Sequence, residues 1–155
     1  FYFASSLLVV TFIDLKHQII PDVISIPGII AGFAASFFTP FPGVINSVIG
    51  IASGGGILLA IALGYFYLTG REGMGGGDVK LLAMIGAFLG WKGVLVTIFA
   101  GSFLGALIGV IYMLISGRGG RHPIPFGPFL AVGALIHLLY GEVLILLYVS
   151  AATGA

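Results

Sequence analysis

Five carboxylates are the only acidic side chains in 155 residues: Asp14, Asp22, Glu72, Asp78 and Glu142. The chain is 59% hydrophobic and 7% charged, so each carboxylate is costly to place and needs a reason to be there. Asp14 closes an apolar run that begins at Tyr2, and Asp78 opens another that begins at Val79. Two carboxylates brought together cannot both ionise comfortably. One keeps a proton and the other does not, which is the acid and base needed to drive water onto a peptide carbonyl. The plainer reading makes Asp78 a helix N-cap and Asp14 a solvated helix end. Three glycines, Gly75, Gly76 and Gly77, stand directly before Asp78. Backbone without Cβ atoms tolerates positive φ and lets a substrate strand come close. Glycine loops ahead of helices also hold phosphates, but the Gly-Lys-Ser/Thr ending is absent and a carboxylate would face the anion.

The remaining polar residues have weaker signals. Asp22 follows Pro21 and reads as the start of a helix, while Glu72 reads as a loop charge. Lys16 and Lys80 each follow an aspartate by two residues, which on a helix points them away from it, toward headgroups. His17 and His122 read as loop groups, and His137 and Glu142, five residues apart, fall on different faces of one helix. No metal site is expected, and with no cysteine neither disulfides nor thiolate ligands arise.

The elements that must position these residues are apolar helices. An ordinary soluble domain carries about 25% charged residues, so this composition reads as an all-α integral membrane protein. Spans are expected at about 2–13, 23–38, 44–68, 79–91, 94–115 and 128–149, six in all, within a single domain over 1–155. Thr39-Pro-Phe-Pro-Gly43 turns the chain between the second and third. The fourth, 13 residues long, rises only about 20 Å, which sets Asp78 below the membrane surface. Alternating crossings put loops 14–22, 69–78 and 116–127 on one face. That face and its flanks hold Lys16, Arg71, Lys80, Arg118 and Arg121 against Lys92 alone on the other, so the polar loops are expected in the cytoplasm. Gly101, Gly105 and Gly109, and likewise Gly86 and Gly90, stand four apart and read as helix-packing ridges. The net charge of +1 carries no suggestion of nucleic acid. A transporter or ion-conducting subunit using Asp14 and Asp78 as a proton or cation relay is the rival reading, and a scaffold is a third. The third and fifth spans contain no charged residue, which speaks against a relay.

Three blocks on the expected cytoplasmic face resemble a known family. Arg71-Glu-Gly-Met-Gly-Gly-Gly-Asp-Val-Lys-Leu-Leu-Ala-Met84 is similar to the Gly-x-Gly-Asp signature of type IV prepilin peptidases. Asp14-Leu-Lys-His-Gln-Ile-Ile-Pro-Asp22 resembles that family's first aspartate motif, and His122-Pro-Ile-Pro-Phe-Gly-Pro-Phe-Leu-Ala131 its third block. The blocks follow the family's order across essentially the whole chain. The resemblance implies an aspartic endopeptidase of the bacterial inner membrane that removes the basic leader of type IV prepilins or type II secretion pseudopilins. It implies Asp14 and Asp78 as catalytic, without a cofactor for proteolysis. Gly75, Gly76, Gly77, Glu72, Asp22, Pro123 and Pro125 are then expected around the substrate. Bacterial members carry an upstream cysteine-containing loop linked to N-methylation; nothing here matches it. S-adenosylmethionine is expected only if a longer, bifunctional parent exists, and the start at Phe1 inside an apolar run points to such a parent. Helix dipoles favour an anion at Asp78, which heads a helix, over Asp14, which ends one, making Asp78 the expected base.

Overall fold

The computed structural model describes residues 1–71, 74–116 and 125–153, with side chains of 116, 142 and 144–153 left aside. Glu72 and Pro123, both expected near the substrate, lie outside the described residues, as do Arg118 and Arg121. The described chain is helical: α1 Tyr2–His17, α2 Asp22–Ala35, α3 Val44–Thr69, α4 Gly76–Ser116 and α5 Gly127–Thr153. Five helices stand where six separate spans are expected, because Trp91 continues directly from a break at Gly90 (φ 69, ψ −178) inside α4. Gly90 is therefore a bend, its positive φ suiting glycine, and it keeps the close-packing role expected of it, with Pro42, Asn46 and Gly50 set against it. α3 and residues 76–115 of α4 are each long and apolar enough to cross a bilayer.

The two halves of α4 live in different surroundings. Residues 76–89, about 21 Å long, form the centre of the fold: Leu81, Leu82, Met84, Ile85 and Ala87 are fully buried and Leu89 is 3% exposed. A helix apolar all round is buried all round. Glycines let neighbours close on it: Gly28 of α2 lies against Met84, and Gly50 of α3 meets Gly86 backbone to backbone. Ser47 of α3 donates from Oγ to the Ala87 carbonyl at 2.8 Å, satisfying its buried hydroxyl. Phe3 of α1 stacks on Phe88, ring centroids 4.7 Å apart. Beyond Gly90, Val94 and Ile98 still join this core, and the second half packs on α5, where Gly101 and Gly105 admit Phe129; these two serve as the expected packing positions. Its other faces are bare, with Phe99, Phe103 and Ile115 69–81% exposed.

α2 ends at Ala35, three residues before the expected end at Phe38, because Ser36, Phe37 and Phe38 tighten into turns bonded to Phe33, Ala34 and Ala35.

Candidate active site

The turn between α1 and α2 does the positioning. Lys16 and His17 end α1, and Gln18 takes the left-handed conformation (φ 54, ψ 37), donating its N–H to the Asp14 carbonyl. The chain reverses there, Ile20 becomes buried, and Pro21 (φ −67, ψ 129) starts α2. Proline suits that place because it needs no donor there and its φ is already set. Ile20 then rests against Gly77: a Cβ on Gly77 would lie 2.8 Å from the Ile20 Cβ. Glycine at 77 therefore lets the turn following Asp14 close upon the head of α4, where Asp78 is the third residue.

A third element completes the arrangement. The N–H of Gly127, in the first turn of α5, donates to Asp14 Oδ2 at 3.1 Å. A Cβ on Gly127 would stand 2.5 Å from the same oxygen. Asp14 thus ends one helix and caps the N-terminus of another. Its side chain is buried, 5% exposed, with the Gly127 amide aimed at it.

Asp14 and Asp78 line one cavity of about 590 Å³. Gly75, Gly77, Asp22 and Pro125 from the expected set also line it, joined by Gln18, Ile19, Ile20, Met74 and Phe126. Gly76 faces open space and is not part of the lining. Asp22 is the first residue of α2, and Lys80 Nζ donates to both of its oxygens at 2.7 Å. Lys80, expected to reach toward headgroups, instead ties the head of α2 to α4. The pair is exposed, so it contributes no more than about 1 kcal/mol. Among the described residues, no group of three or more His, Cys, Asp or Glu side chains is placed to hold a metal ion.

Asp14 sits in the last turn of α1 and Asp78 in the first turn of α4, each at the polar end of its helix. Burial raises the Asp14 carboxyl above its ordinary range, while the Gly127 hydrogen bond pulls it back. Burial also pushes Asp78 up, and the charge of Asp14 pushes it further, to about 6. The dipole reasoning from sequence weighed only the helices that carry each aspartate; α5 brings its own N-terminal end to Asp14. The Gly127 amide favours the anion at Asp14, while the Asp14 charge favours the proton at Asp78. Gly127 is the residue sequence reasoning passed over. The signal was present, a glycine closing Pro-Ile-Pro-Phe at a helix start, but nothing in the sequence aims it at Asp14.

Residues 1–110 match the type IV leader peptidase family. The chain is similar to the "Prepilin leader peptidase/N-methyltransferase" of Pseudomonas aeruginosa, 40% identical over 136 residues, covering 88% of this chain and 47% of the relative. It is similar to the protein of that name in Aeromonas hydrophila, 38% identical over 88% of this chain and 47% of the relative. A Legionella pneumophila protein of the same name is 37% identical over 92% of this chain and 50% of its own length. The chain therefore spans about half the length of the curated relatives it matches. No solved structure matches it significantly. Matched over most of its length, the chain belongs to the type IV leader peptidase family.

Proposed function

We propose that the protein is an aspartic endopeptidase of the bacterial inner membrane that cuts the basic leader from type IV prepilins or type II secretion pseudopilins. The observation that carries this reading is the meeting of Asp14 and Asp78, from separate helices, in one cavity. Their surroundings make them unequal, and unequal carboxylates are what water activation requires.

In this mechanism Asp14 is the base and Asp78 the acid, the reverse of the order expected from sequence. A water held between them gives a proton to Asp14 as its oxygen bonds to the scissile carbonyl carbon. Asp78 gives its proton to the carbonyl oxygen, and a neutral tetrahedral diol results. The proton on Asp14 then passes to the peptide nitrogen, Asp78 recovers one from the diol, and the C–N bond breaks. No covalent enzyme intermediate forms. Glu72, Asp22, Gly75, Gly76, Gly77, Pro123 and Pro125 are proposed to border the substrate, the acidic ones facing its basic leader.

Membrane placement rests on the apolar outward faces of α3 and α4, and orientation rests on the five basic residues flanking the polar loops against Lys92. A prepilin's basic leader and apolar segment meet at that same boundary. The reading covers peptide hydrolysis alone.

The test is cleavage of a prepilin in proteoliposomes by wild type, Asp14→Ala and Asp78→Ala. Loss in both correctly inserted variants supports the pair; unimpaired cleavage by either removes it.

A further inference from the structure

A second cavity, of about 420 Å³, lies beside the catalytic one. Leu58 and Ile61 of α3 form one wall, Ile98, Ser102 and Ala106 of the second half of α4 the floor, and Phe129 of α5 the other wall. It lies where α3, packed on residues 76–89, meets the second half of α4, packed on α5. Met74 and Phe126 line both cavities, so one runs into the other at the catalytic end.

We infer that this groove receives the apolar helix that follows the cut bond in the substrate, an assignment that rests on the peptidase reading above. Polarity changes at the shared residues. The catalytic cavity presents Asp14, Asp22 and Asp78, whereas none of the groove's lining residues is charged. A polypeptide that is basic before the cut and apolar after it fits that step in one direction only. The floor is small-sided: Ser102, Gly105 and Ala106 fall on one face at spacings of three and four, and Ser102 and Ala106 are exposed. A face of that kind lets a second helix approach closely in lipid. Met74 and Phe126 then mark the crossing from helix to extended strand, where the bond enters reach of the carboxylates.

The experiment uses proteoliposomes with a full-length precursor and a short peptide that carries the leader and cut site but lacks the apolar helix. Ala106→Trp fills the floor. The ratio of kcat/KM for precursor over peptide should fall about tenfold or more, the scale of overfilling a close contact. In parallel, a photoreactive residue at position 106 of an Asp78→Asn protein should crosslink to the precursor's apolar segment, while one at Phe99, 75% exposed on the outside, should not. An unchanged ratio, or adducts to lipid alone at position 106, overturns the groove assignment and leaves the peptidase reading standing. If Ala106→Trp fails to fold, the crosslink decides. Failure of wild type to cut either substrate defeats the peptidase reading and this one with it.

Discussion

Asp14 and Asp78 are the same side chain in two unlike settings. Asp14 sits at the close of α1, buried, with the Gly127 amide donating to it. Asp78 sits in the first turn of α4, partly exposed, with a raised pKa and a second carboxylate beside it. The difference teaches that a helix position alone does not set a carboxylate's charge. The N-terminus of a neighbouring helix, arriving from far along the chain, offsets the preference that the host helix imposes.

The strongest way to break the comparison is to remove it. If the carboxylates act as one unit, Asp14→Asn and Asp78→Asn should each lower kcat by about 10³-fold or more, and the double variant should be no worse than either. Multiplying losses would mean two independent roles. Next in size is Gly127→Ala. Its methyl group would press on the Asp14 oxygen, so cleavage should fall about 10-fold to 100-fold while the helical content measured by circular dichroism stays unchanged. Wild-type cleavage at Gly127→Ala would mean the amide does not hold the base.

The pH profile gives a milder effect. The proton on Asp78 is needed, and its carboxyl is pushed up to about 6, so cleavage should decline as pH rises through that region. A rise across the same interval would exchange the roles. The smallest effect is expected at the exposed Lys80–Asp22 pair: Lys80→Met should change kcat by less than about twofold, because such pairs contribute little. A large loss would place Asp22 and Lys80 in the chemistry.

Much of this was legible in the sequence because apolar runs and prolines are local signals. The start of α3 at Val44 follows from Pro40, Pro42 and Gly43, and the aspartates follow from their place at apolar–polar borders. The break between the fourth and fifth expected spans was legible from Trp91 and Lys92, but its exact place at Gly90 was not, since only the packing of Pro42 and Asn46 against that glycine marks the turn. The role of Gly77 was half legible, since the glycine run signals close approach without saying that Ile20 is what approaches. The Lys80–Asp22 pair joins residues far apart in the chain, and residue types alone cannot choose that partner.

The most direct test of the unequal pair is the infrared band of protonated carboxyl groups, followed through a pH titration of the inserted protein. A band from a protonated carboxyl should fade as pH rises through about 6, and the band present at pH 6 should be missing from Asp78→Asn. A band that survives Asp78→Asn there but vanishes in Asp14→Asn would contradict the assignment.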